Sequence, residues 1–144
     1  DFPREGNNWS YEHARRMWSL ADNGLLRYHC LQNFDKAMVH LVKRYGALAA
    51  RPELLRADEE KKILIFRRKN LIFALNFNPV ESFADYAFPA PSGDYVTVLD
   101  SDAKEFDGFA RLEKDGEHLT VNGCLSLYLP SRCAIVLIEK TEEK

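Results

Sequence analysis

At 144 residues the chain is long enough for one ordinary domain, or for a small domain with an appendage. Its composition, 46% hydrophobic and 29% charged, is that of a globular protein and leaves disorder only for the tail at 141–144. A net charge of −2 and a pI of about 6.1 argue against a nucleic-acid binder, which carries a basic stripe, and no apolar run approaches the roughly 18 residues that span a bilayer.

In chain order, Phe2-Pro3 forces an extended or turn start. Gly6-Asn7-Asn8 is a loop that reaches left-handed backbone angles, and Ser10 is placed to cap a helix. Tyr11, Ala14, Met17, Trp18 and Ala21 follow at helical spacing until Asp22-Asn23-Gly24 breaks the pattern. A second apolar stripe comprises Leu31, Phe34, Met38, Leu41, Val42 and Tyr45. It ends with Lys43-Arg44, which suit the negative helix terminus, and with Gly46 as the stop. Asn33 is a possible cap within this stretch, so one bent helix and two short ones both fit.

After Pro52 the period changes from helical to alternating. Ile63–Phe66 and Leu71–Phe77 are short apolar runs around the polar turn Arg67–Asn70, a hairpin pattern. Further strands are expected near Phe83–Phe88, Tyr95–Leu99, Leu119–Val121, Cys124–Leu129 and Ala134–Ile138, with Asn122-Gly123 as the turn joining two of them. The fold class read from this is α+β: two or three N-terminal helices followed by an all-β antiparallel sandwich, with the boundary near residue 50. Cys30, Cys124 and Cys133 are odd in number and widely spaced, which reads as free thiols in a reducing compartment and fits the cytoplasm. The opening, without an initiator Met or a leader pattern, reads as the interior of a longer chain.

The first twenty residues, DFPREGNNWSYEHARRMWSL, closely resemble a stretch of the 1,4-alpha-glucan (glycogen) branching enzymes, of the alpha-amylase-type glycoside hydrolase family. The likeness runs on through Leu26-Arg27-Tyr28, Asn33–Met38, Asn76-Phe77-Asn78-Pro79 with Ser82 and Tyr86, Leu99–Asp102 with Phe106–Phe109, and Leu127–Arg132. One departure is Asn78, where the family's NFHP segment commonly has His. The resemblance implies that residues 1–50 are the terminal loop and helices of a catalytic (β/α)8 barrel and that 51–144 are a C-terminal all-β sandwich domain. It also implies a parent that moves an alpha-1,4-glucan segment onto a 6-hydroxyl, acting on glycogen or amylose. The rest of the barrel would be the intramolecular partner. Nothing in the resemblance calls for a cofactor, a metal, nucleic acid or a membrane.

That reaction needs one carboxylate as nucleophile and a second as acid/base. None of the acidic residues here matches the family's pair, so no catalytic residue is assigned and the chain by itself is expected to be inactive. Barrel active sites lie in the loops after strand ends, which makes Arg4, Asn7, Asn8 and Trp9 the candidates for substrate contact. The competing view of these four is that the asparagines only turn the chain and Trp9 pins the helix start. Arg15-Arg16 are read as partners for carboxylates, not as a phosphate clamp, and Trp18 as core. His13, His29, His40 and His118 share no ligand spacing. Asp100, Asp102, Glu105 and Asp107 lack the ordered layout of a calcium loop and read as a solvated loop. Two alternatives remain on sequence alone: a non-catalytic carbohydrate-binding sandwich, and a piece of another alpha-amylase-type enzyme.

Overall fold

The computed structural model describes residues 3–12 and 18–140. Among the described residues two helices, α1 (Trp18–Asp22) and α2 (Tyr28–Tyr45), precede eight strands. The strands are β1 (Glu53–Asp58), β2 (Ile63–Arg68), β3 (Leu71–Asn76), β4 (Phe83–Pro89), β5 (Asp94–Asp100), β6 (Glu117–Leu119), β7 (Cys124–Leu129) and β8 (Cys133–Glu139). Six of them form one antiparallel sheet in the order β1-β2-β3-β8-β5-β6, while β4 and β7 pair as a separate ribbon. Short 3-10 turns lie at Glu5–Asn7, Ala47–Ala49 and Lys104–Phe106.

The alternating pattern explains why the sheet has two buried faces. Ile63 and Ile65 of β2, Ile72 and Ala74 of β3, and Ile135 and Leu137 of β8 point toward the β4–β7 ribbon. They meet Tyr86, Phe88, Leu125, Leu127 and Leu129 there and close the sandwich core. On the opposite face Leu71, Leu99 and Val136 meet Leu41 and Ala47, with Phe34, Ala37, Val42 and Tyr45 of α2 packed beside them. The order of layers is therefore α2, six-stranded sheet, ribbon.

Helix α2 is continuous across Asn33. It stops at Gly46, whose φ of 57° lets its N–H reach the carbonyls of Val42 and Lys43. The Lys69 ammonium donates to the Tyr45 carbonyl at 3.5 Å and would lie 3.0 Å from any Cβ placed on Gly46. That contact ties the helix end to the β2–β3 turn. The second expected turn is also present: Asn122 and Gly123 have φ of 53° and 74° between the bridged pair Val121 and Cys124.

Three expectations need correcting. Strand β1 was not anticipated; it is an edge strand whose side chains are mostly exposed, so its apolar alternation is weak. The strand expected at Leu119–Val121 is instead β6 at Glu117–Leu119, because β6 pairs with Asp94–Val96 and the chain then leaves the sheet toward the turn. Trp18 is not core here. Within this chain it is 57% exposed.

Candidate functional site

The four residues proposed for substrate contact fall in one compact turn. Arg4 is extended, and its N–H donates to Asn7 Oδ1 at 2.8 Å. The Arg4 carbonyl accepts from the N–H groups of Asn7 and Trp9, both at 3.1 Å. Asn8 and Trp9 then take consecutive positive φ angles of 54° and 56°. Asparagine tolerates that region, but a bulky indole residue there is an outlier and stores strain. The Trp9 side chain is 67% exposed. Ser10 then accepts the Glu12 N–H on its Oγ at 3.1 Å, the bond expected of a helix N-cap.

The Asn7 bonds turn the chain here, and Trp9 is exposed. His13, Ala14, Arg15, Arg16 and Met17, which the sequence pattern assigns to the first helix, lie outside the described residues. His29 Nδ1 lies 2.7 Å from the Leu26 carbonyl and Nε2 3.3 Å from Cys30 Sγ, so its ring is used locally. His118 pairs with Thr97 Oγ1 at 3.2 Å, and burial pushes its pKa down. Among the described residues no group of three His, Cys, Asp or Glu side chains is placed to hold a metal ion.

The acidic loop differs most from the sequence reading. Asp102 is buried, not solvated, and accepts two bonds from the Arg111 guanidinium, both at 2.9 Å. It also accepts the backbone N–H groups of Phe109 and Arg111 at 3.2 and 3.0 Å. Arg111 continues to Ser131, donating to its Oγ at 3.2 Å and its carbonyl at 3.0 Å. Burial works against the Asp102 charge, but these donors outweigh it and hold the carboxyl below its ordinary value. Gly108 is required at this place, because a Cβ there would stand 2.1 Å from the Asp102 carbonyl oxygen. The loop is a structural pin between β5 and the start of β8.

The other resembling blocks are also structural. Asn76 Nδ2 donates to the carbonyls of Glu81 and Leu129 at 3.0 and 3.1 Å, and its Oδ1 accepts the Asn78 N–H at 2.8 Å. Asn78 Oδ1 accepts the N–H groups of Val80 and Glu81 at 3.1 and 3.0 Å. Ser82 Oγ accepts the Ser131 N–H at 3.0 Å, and Tyr86 donates to Asp58 at 2.9 Å. Asn78 is therefore a buried turn-former, a role that an amide fills well. The three cysteines are free, and burial followed by the Asp102 charge pushes the Cys133 thiol up to about 11.

The alpha amylase C-terminal all-beta domain family matches residues 55–139, more than half the chain, from within β1 to the end of β8. The chain belongs to this family. Among curated relatives, a 1,4-alpha-glucan-branching enzyme of Yarrowia lipolytica is 40% identical over the whole of this chain, which spans 22% of that protein. A 1,4-alpha-glucan-branching enzyme of Dictyostelium discoideum is 43% identical over 95% of the chain, again spanning 22% of the relative. The corresponding protein of Equus caballus is 40% identical over 95% of the chain and 21% of its own length. The chain thus spans about a fifth of the relatives that it matches. A solved alpha-amylase from H.orenii superposes over 86% of this chain with a TM-score of 0.50 and 15% identity, a likeness of fold.

Proposed function

We propose that this chain is the C-terminal, non-catalytic portion of a 1,4-alpha-glucan branching enzyme. Its residues 1–50 would be the last loop and helices of the catalytic barrel, and 51–144 the all-β domain. The carrying observation is identity of 40% or more to branching enzymes across nearly the whole chain, helical lead included. Likeness confined to the β domain would have supported only the broader amylase-type assignment. The parent enzyme would transfer an alpha-1,4-glucan segment to a 6-hydroxyl in glycogen or amylose and would act in the cytoplasm.

Within that parent, the opening turn would border the glucan cleft. The strained, outward-held Trp9 offers a ring face for a sugar, and Arg4, Asn7 and Asn8 offer donors for hydroxyl groups. No residue of this chain supplies the nucleophile or the acid/base.

The test pairs two proteins on amylose, reading the fall of iodine colour and the appearance of 1,6 linkages. The 144-residue chain should show neither, and the parent protein should show both. Branching by the short chain would overturn the placement of catalysis outside it, and a parent inert on amylose would overturn the assignment itself.

A further inference from the structure

His29 and Cys30 lie in the first turn of α2, and their side chains meet, with Cys30 Sγ 3.3 Å from His29 Nε2. The other ring nitrogen, Nδ1, lies 2.7 Å from the Leu26 carbonyl oxygen. A carbonyl oxygen only accepts, so that contact puts the ring hydrogen on Nδ1. In the neutral ring the lone pair is then on Nε2, the nitrogen that faces the sulfur. The thiol therefore points its hydrogen at a base whose tautomer the backbone fixes. These are the three parts of an activated nucleophile: a sulfur, a base, and a third group that orients the base.

The orienting carbonyl is held in turn. Leu26 N–H donates to the Asn23 carbonyl at 3.0 Å, and Leu25 N–H donates to Asn23 Oδ1 at 3.0 Å. His29 and Cys30 are both half-buried, which leaves the sulfur within reach of a small molecule. Among the described residues the other two thiols lack this arrangement. Cys133 is buried beside Arg111, and Cys124 is exposed opposite Pro89, which carries no base.

The geometry points to Cys30 as a site of thiol–disulfide exchange, with His29 as its general base and a low-molecular-weight disulfide as its partner. As Cys30 Sγ attacks one sulfur of that disulfide, Nε2 takes the thiol proton. A new S–S bond forms at Cys30, the old one breaks, and the departing thiolate collects the proton from His29. Cys30 ends oxidised in a mixed disulfide, and one equivalent of the small thiol leaves reduced. This chemistry stands apart from glucan transfer and holds whether or not the parent is a branching enzyme.

The test incubates the protein with glutathione disulfide and follows each cysteine by peptide mass spectrometry, in the 144-residue chain and in the full-length parent. Access alone would rank Cys124 first, Cys30 second and Cys133 last. With His29 as base, Cys30 should instead outpace Cys124 by about tenfold or more. His29→Gln should slow Cys30 by about tenfold and leave the Cys124 rate and the helical circular dichroism unchanged. Cys124 reacting faster than Cys30 in the unaltered chain, a comparison that needs no variant, would overturn the site. A Cys30 rate that His29→Gln leaves unchanged would overturn it too. So would a Cys30 thiol that reacts in the short chain but is closed to the reagent in the parent.

Discussion

The sandwich and the helical lead carry similar apolar patterns but dispose of them in opposite ways. Ile65, Ile72, Leu125 and Leu137 have essentially no exposed surface, and every one faces another strand of the same chain. Trp18, Tyr28 and Leu31 come from an equally regular helical pattern, yet more than half of each is exposed. Periodicity therefore reports that a face is meant to be covered, and says nothing about which chain segment covers it. In the sandwich the cover lies within the chain; over Trp18, Tyr28 and Leu31 the described residues leave most of the surface open.

Stability measurements should expose the contrast directly. Phe88→Ala removes a ring that is 1% exposed in the sandwich core, and should cost about 3–5 kcal/mol. Trp18→Ala in the same chain should cost far less, about 1 kcal/mol, because more than half of that side chain is exposed. Urea unfolding of the two variants is sufficient. A Trp18 variant as damaging as the Phe88 one would mean that the lead is packed after all.

The Asp102 pin should come next in size. Arg111→Ala leaves a buried carboxylate without its guanidinium, and with Arg111 itself partly exposed the loss should be about 2–4 kcal/mol at neutral pH. The pH dependence has a definite sign. The Asp102 pKa is depressed in the folded chain, so its stabilisation is fully present above the ordinary value of 3.8 and is lost as pH falls through the depressed one. The gap between wild type and Arg111→Ala should thus hold from pH 7 down to about 5 and close in stronger acid. A gap that widens in acid would contradict the geometry.

Much of this architecture was legible in the residues, and the exceptions share a cause. Strands β2, β3, β5, β7 and β8 announce themselves because each buries at least one alternating face. Edge strand β1, Glu-Leu-Leu-Arg-Ala-Asp, buries little, so its pairing with β2 leaves almost no trace in composition. The Asp102–Arg111 pair was invisible for a different reason: the partners lie nine positions apart across a loop, and no period links them. A run of carboxylates ahead of Gly108 looks solvated until the guanidinium that neutralises one of them is placed. The opening turn was legible as a turn from Gly6-Asn7-Asn8, but the positive φ at Trp9 was not, since no propensity favours it.

A smaller effect tests the junction between the two regions. Gly46→Ala puts a Cβ at φ 57° and 3.0 Å from the Lys69 ammonium that caps α2. The left-handed geometry alone should cost about 1–2 kcal/mol, and the lysine end is flexible enough to give way. Loss of helical circular dichroism ahead of the strand signal during urea unfolding would show that α2 is held to the sheet chiefly at this end.

The smallest stability change belongs to Trp9, and it separates scaffold from site. Trp9→Gly removes a bulky side chain from a left-handed backbone position, which relieves roughly 1–2 kcal/mol of strain, while glycine's extra freedom in the unfolded chain takes back about 0.5–1 kcal/mol. Melting should therefore shift little, and upward if at all. Turnover of the parent enzyme on amylose should nevertheless fall, because the exposed indole is the part of the turn best suited to lie against a sugar ring. Trp9→Gly that melts higher and branches normally would make the strain a by-product of chain turning. Trp9→Gly that melts higher but turns over slowly would show strain retained at a cost to stability, and would put this turn at the edge of the cleft.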